Sequence, residues 1–223
     1  MQNKLQSAQR GFTLVEIAIV LVIIGLLIGG VLKGQELINS AKVKNYAADF
    51  RNIPLFIYGY QDKFRAIPGD DAGVTQHISG STLASTGCGT GSCAGNGQLD
   101  GDWDSSTITD ESYLFWQHIR LAGLAGGSTD ITSTEYRPRN ADGGFLGIES
   151  ASSAYIDNLP GAYVICSSNI AGKLARQLDI TIDDGNPQSG SLRIVNGDHT
   201  RGDGALSAGN IVESTPYTVC VGV

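Results

Sequence analysis

Methionine occurs once, tryptophan twice and histidine three times in these 223 residues, and only 17% of the chain is charged. With 41% hydrophobic residues alongside, that low charge excludes a chain held open by its own repulsion. Thirty glycines make a poor recipe for a helical bundle and point to a loop-rich globular body. There is no complete G-x-G-x-x-G, no P-loop lysine, no G-x-S-x-G elbow and no H-E-x-x-H. Nucleotide binding, serine-hydrolase chemistry and zinc proteolysis therefore lack their characteristic residues, and no enzyme is expected.

What is present is concentrated at one end. Residues 12–32 read FTLVEIAIVLVIIGLLIGGVL, with Glu16 as the one ionisable side chain. About 20 such residues, at 1.5 Å each, cross the hydrocarbon core of a bilayer. The short polar segment ahead carries Lys4 and Arg10, which hold the N-terminus in the cytoplasm and send the remainder outward. No A-x-A cleavage pattern follows Leu32, against an ordinary secretory signal. A plain anchor leaves Glu16 unexplained, because a carboxylate at mid-membrane costs on the order of 3 kcal/mol and calls for a partner.

The run Arg10-Gly11-Phe12-Thr13-Leu14-Val15-Glu16, followed by an apolar helix, resembles the cleavage and methylation signal of type IV prepilins and type II secretion pseudopilins. The resemblance implies that a prepilin peptidase cuts after Gly11 and methylates Phe12, leaving residues 1–11 as a leader. It also implies that Glu16 neutralises the amino terminus of a neighbouring subunit in a filament. An ammonium and a carboxylate buried together cost far less than either alone. Many such pilins carry a proline two thirds along the apolar run; this chain has Gly25, Gly29, Gly30 and Gly34, which permit either local melting or close helix packing.

From Lys33 to Arg65 the pattern turns amphipathic, with Leu37, Val43, Tyr46, Phe50, Ile53 and Ile57 near helical spacing. One helix is expected from Phe12 to about Arg65, kinked at Pro54 and ended by Ile67-Pro68-Gly69-Asp70. The aromatics Tyr46, Phe50, Phe56, Tyr58, Tyr60 and Phe64 then read as packing of a head onto that helix. The head, residues 66–223, is expected to hold a Gly/Ser/Thr-rich surface loop over 79–97, a helix over Glu111–Leu124 capped by Asp110 and stopped near Gly123, and strands at Ala162–Cys166, Leu192–Val195 and Tyr217–Val221. Asn169–Leu178 suits a short helix and Asp183–Asn186 a turn. The fold class is α+β and pilin-like, a long N-terminal helix packed by its second half against a small, mostly antiparallel sheet.

Four cysteines in an exported chain favour disulfides. Three pairings are possible. Cys88 and Cys93 enclose four residues and suit a local staple. Cys166 and Cys220 sit in strand-like segments, and their bond ties the last strand into the sheet, resembling the disulfide-bounded C-terminal region of pilins. His77, His118 and His199 are too scattered for a zinc site, and His118 reads as a packed or surface residue. Asp100, Asp102, Asp104 and Glu111 reproduce the first, third, fifth and twelfth positions of a calcium loop, although Ser105 stands where the turn glycine belongs. Arg201-Gly202-Asp203 is a tripeptide of the integrin-binding type that also recurs by chance.

From Ala66 onward 18 acidic residues face 7 basic ones, whereas residues 33–65 carry 6 basic and 3 acidic. An acidic head lacks the basic stripe that a phosphate backbone requires, so direct nucleic-acid binding is not expected. The expected partners are copies of the chain or related pilins, the peptidase and an inner-membrane assembly machinery. The precursor belongs in the inner membrane and the product in a pilus or periplasmic pseudopilus. The alternative is a minor pilin or pseudopilin carrying an adhesive or ligand-binding head.

Overall fold

The computed structural model describes residues 13–87, 93–153, 156, 159–197 and 204–223. The chain divides into two compact units, Met1–Ala41 and Lys42–Val223. Helix α1, Leu14–Phe64, supplies the described residues of the first unit and the beginning of the second. It runs on through Pro54. The chain leaves the helix at Arg65, which takes a left-handed φ of 57° while its N–H still bonds the Gln61 carbonyl. The stop thus falls before the Ile67–Asp70 run.

Within the first unit the apolar side chains of α1 lie exposed, Leu14 at 92% and Leu26 at 73%. In the second unit the same helix buries Val43, Tyr46, Ala47, Phe50, Ile53, Ile57 and Tyr60. Their spacing of three and four keeps them on one face, and each large apolar side chain so buried stabilises by about 1.5–3 kcal/mol. Leu37 falls outside this stripe, exposed at 62%. Tyr58 is likewise exposed, whereas Phe56 and Phe64 pack at the margin of the core.

The second unit adds α2 (Val74–His77), α3 (Glu111–Leu121), α4 (Gly172–Ile182) and strands β1 (Leu146–Ser150), β2 (Tyr163–Ala171), β3 (Leu192–Asn196) and β4 (Pro216–Gly222). The sheet is antiparallel throughout, in the order β1-β2-β4-β3. Alternation sorts its side chains by face. Ile148, Ile165, Ile194, Val219 and Val221 join the core with α1, α3 and α4. On the other face Val164, Cys166, Val195 and Cys220 pack with Trp103, Ile156 and Leu159 in a second cluster.

Helix α3 ends earlier than its apolar pattern suggests, and Gly123 is the reason. At φ 78° it closes a Schellman motif, with Leu124 N–H on the Ile119 carbonyl at 2.9 Å and Gly123 N–H on the Arg120 carbonyl at 3.0 Å. Helix α4 starts later than expected because β2 extends through Ala171, its register shifting between Ser167 and Ile170 where Asn169 takes φ 59°. Asp183 follows α4 in irregular backbone.

Candidate processing and assembly site

The start of α1 is built by Thr13 and Glu16. Thr13 donates to Glu16 Oε2 from both its backbone N–H and its hydroxyl, each at 2.8 Å, and its Oγ1 accepts the Glu16 N–H at 3.3 Å. The Ile17 N–H bonds the Thr13 carbonyl, which makes Thr13 the N-cap and Glu16 the third helical residue. This is a reciprocal capping box, satisfying donors that a helix N-terminus otherwise leaves open. Its signal, T-x-x-E ahead of an apolar run, is present in the sequence, but there it merges with the processing motif. Gly11 and Phe12, the expected cleavage pair, lie outside the described residues. Beyond the cap, α1 is the one helix among the described residues long and apolar enough to cross a membrane. A Cβ added at Gly25, Gly29, Gly30 or Gly34 would meet nothing within 4 Å.

In the second unit the α1 stripe is fixed by polar bonds at its two ends. Lys42 Nζ and the Tyr46 hydroxyl both donate to the Asp142 carboxylate, and the Asn169 side-chain amide donates to the Asp142 carbonyl at 2.8 Å. Lys42 is therefore engaged within its own chain, while Lys44 stays exposed. At the other end the Tyr60 hydroxyl donates to Asp71 Oδ2 at 2.8 Å, and His77 Nδ1 lies 2.7 Å from the same oxygen. His118 is buried: its Nδ1 accepts the Gly69 N–H at 2.9 Å and its Nε2 faces the Thr82 carbonyl at 2.9 Å. Those partners fix a neutral ring protonated on Nε2, and burial lowers its pKa. His118 is thus a packed residue.

The acidic loop before α3 folds around a residue from elsewhere, Asp70. Its carboxylate accepts the N–H groups of Gly95, Asn96 and Gly97, the last at 2.7 Å. Glu111, fully buried, accepts the Asp100 N–H on Oε2 at 2.8 Å, and Asp100 accepts the Asn96 side-chain amide at 2.8 Å. A side-chain hydrogen bond with Asp70 also favours the protonated Glu111 carboxyl. Burial pushes the Glu111 carboxyl up to about 7, with Asp70 and Asp100 adding repulsion against the Asp100 N–H bond that lowers it. Burial also raises Asp70, opposed by its three amide donors. The expected calcium ligands Asp100, Asp102, Asp104 and Glu111 do not bring three carboxylate oxygens within 4.8 Å of one another; among the described residues Asp179, Asp183 and Asp184 do. Asp110 occupies the N-cap position of α3 without capping it, since its carboxylate accepts Thr86 Oγ1 at 2.7 Å and Ser105 Oγ at 2.6 Å.

Cys166 and Cys220 are directly opposed in the β2/β4 register and joined as a disulfide. Cys93 is disulfide-bonded as well. The expected partner Cys88 lies outside the described residues, as do His199 and Arg201-Gly202-Asp203.

Residues 6–32 match the family model for the prokaryotic N-terminal methylation motif. No curated protein and no solved structure matches the chain. That motif implies processing by a prepilin peptidase, and its position ahead of the exposed apolar stretch of α1 fits a membrane-anchored precursor. The chain therefore carries the N-terminal signature of type IV prepilins and pseudopilins.

Proposed function

We propose that the chain is a structural subunit of a type IV pilus or pilus-like filament, cut between Gly11 and Phe12, methylated at Phe12 and assembled through α1. The observation that carries this reading is the methylation motif running directly into an apolar helix whose side chains are exposed in the first unit. Such side chains need lipid before assembly and other helices afterwards. The glycines with open space above them suit close helix approach. Residues 33–65 continue the helix into the head, and residues 66–223 form the extracytoplasmic surface of the filament.

In this reading Glu16 has two successive partners. In the lone chain its Oε2 takes both Thr13 donors. In the filament the carboxylate meets the methylated amine of a neighbour, a pairing that offsets the cost of burying both charges. Two variants separate these roles. Glu16→Ala removes the carboxylate half of the capping box together with the charge, and should leave membrane insertion intact while impairing filament assembly; Thr13→Ala weakens the cap and keeps the charge, and should still assemble. Equal filament yields from the two variants would contradict the inter-subunit role. Mass spectrometry of sheared filaments tests the subunit reading itself. This chain should be a main component, and trace amounts would favour a minor subunit with a ligand-binding head.

A further inference from the structure

The two edges of the sheet carry opposite charge. In the order β1-β2-β4-β3, β1 lies at one edge and β3 at the other. Residues 137–139 run along the outer side of β1, where the Leu146 N–H donates to the Pro138 carbonyl at 3.1 Å and Arg139 forms an isolated antiparallel bridge with Phe145. Both guanidinium groups lie over the Phe145 ring, Arg137 at 3.7 Å and Arg139 at 4.3 Å from its centre, held there by the negative face of the ring. The bonds they make fix them without neutralising them: Arg137 donates to the Asp104 carbonyl at 2.6 Å and Arg139 to the Gly143 carbonyl at 2.8 Å. Burial lowers the Arg137 pKa; the Asp104 charge opposes that and the Arg139 charge adds to it. Asp142, in the turn between Arg139 and Phe145, is already taken by Lys42 and Tyr46.

The edge at β3 is the reverse. The turn from α4 into β3 carries Asp183, which is fastened to the first residue of β3 through the Leu192 N–H at 2.7 Å, and the exposed Asp184. Ile180 lies against that turn, since a Cβ on Gly185 would come within 3.1 Å of its side chain, and it is 70% exposed. Arg193 offsets part of the Asp184 charge, while its own Nη1 donates to main-chain carbonyls. One edge thus presents an aromatic ring flanked by base, and the other an aliphatic side chain beside acid. In a head with 18 acidic residues and 7 basic ones, the paired arginines are the exception, and the acidic surface that suits them is plentiful on every other copy.

We propose that the edge bearing Arg137, Phe145 and Arg139 docks on the edge bearing Ile180 and Asp184 of a second copy of this chain. The proposal rests on the filament reading and adds a contact between heads to it. Phe145 and Ile180 supply an apolar centre and the charges a polar rim, the usual anatomy of an interface, in which aromatic and Arg side chains carry much of the energy. Opposite potentials also set the register and reject wrong pairings. Because the two patches sit at opposite edges of the sheet, the contact is heterologous: each head offers one patch to the copy ahead and the other to the copy behind. Contacts of that kind close into a ring or continue as an open helical filament, and the helix-first assembly of this chain selects the filament.

The test is the filament yield of the full-length chain and its charge variants, with processing at Phe12 followed by mass in the same samples. Arg139→Glu and Asp184→Arg should each lower the yield by about tenfold or more, because like charges then face each other across the contact. The double variant, with the charges exchanged, should regain most of the yield, which a merely structural role for either residue would not allow. Ile180→Arg breaks none of the hydrogen bonds of the turn, so it decides the matter if Asp184→Arg does not fold; it should lose filaments and regain them when combined with Arg139→Glu. Parental yield from Arg139→Glu or Ile180→Arg, or a double variant no better than its weaker single, would overturn the contact and leave the filament reading standing. A parent chain that is processed yet forms no filaments would overturn both.

Discussion

The two parts of α1 obey the same helical geometry and opposite rules of burial. In the first unit Leu14, Leu21, Leu26, Leu27 and Leu32 are exposed, and no described side chain of the unit is among the buried core. From Val43 to Tyr60 one face is fully committed to the core of the second unit. The difference lies in patterning: the first stretch is apolar all round, whereas the second interposes Lys44, Asp49 and Arg51 between its buried positions. A helix apolar all round needs a surrounding apolar medium, and one apolar on a single stripe needs only its own fold. The chain thus separates what it completes alone from what it must complete with lipid or other subunits.

That contrast is most directly broken by truncation on each side of it. Phe50→Ala should destabilise the second unit by about 3–5 kcal/mol, the usual cost of emptying a buried aromatic site. Ile24→Ala should change the unfolding of that unit by less than about 0.5 kcal/mol. Denaturant melts of the two variants in detergent check this, and comparable losses would mean that the first stretch supports the head.

The disulfide sharpens the same division. Cys166 and Cys220 are 54 residues apart, so the loop-entropy account gives their bond about 4 kcal/mol, all of it in the second unit. Replacing both cysteines by Ala should lower head stability by an amount of that order and leave membrane insertion unchanged. Peptide mapping without reductant that linked Cys93 to Cys166 would contradict the β2/β4 pairing itself.

A pH response should also reside in the head, at Glu111. Its folded pKa of about 7 lies above the ordinary 4.5, so between those values the folded chain holds a proton that the unfolded chain releases. Stability should accordingly fall as pH rises through that window, by up to ~3 kcal/mol. Glu111→Gln keeps an acceptor for the Asp100 N–H and removes the ionisation. It should be more stable than the parent near about pH 8 and nearly equal near about pH 4. Parallel slopes for the two proteins across the window would contradict this reading of the pair.

Much of this was legible from sequence where pattern is local. The apolar run, the buried stripe, α3, the first half of β2 and most of β3 and β4 follow from periodicity and end signals. Strand β1 did not, because only Leu146 and Ile148 of its five residues are apolar, too short an alternation to mark a strand beside Gly147 and Glu149. The fold explains both: a Cβ at Gly147 would collide with the Trp103 carbonyl, and Glu149 accepts the Trp103 N–H. The acidic clusters were hidden for a different reason. The spacing of Asp100, Asp102 and Asp104 imitates a calcium loop, but the residue that organises this region is Asp70, brought in from 25 positions upstream of Gly95. Burial of Asp179 is likewise a tertiary fact, since nothing in its sequence neighbourhood distinguishes it from an exposed acid on a helix.

In the proposed filament subunit the apolar stretch begins a mature, methylated chain rather than a permanent anchor. Intact-mass and N-terminal peptide measurement on the chain recovered from its native membrane and from filaments tests it most directly. The expected terminus is N-methylated Phe12, and a Gly11→Val chain should stay at precursor mass in the membrane. Assembled chains that still begin at Met1, or a Gly11→Val chain processed as the parent is, would contradict it.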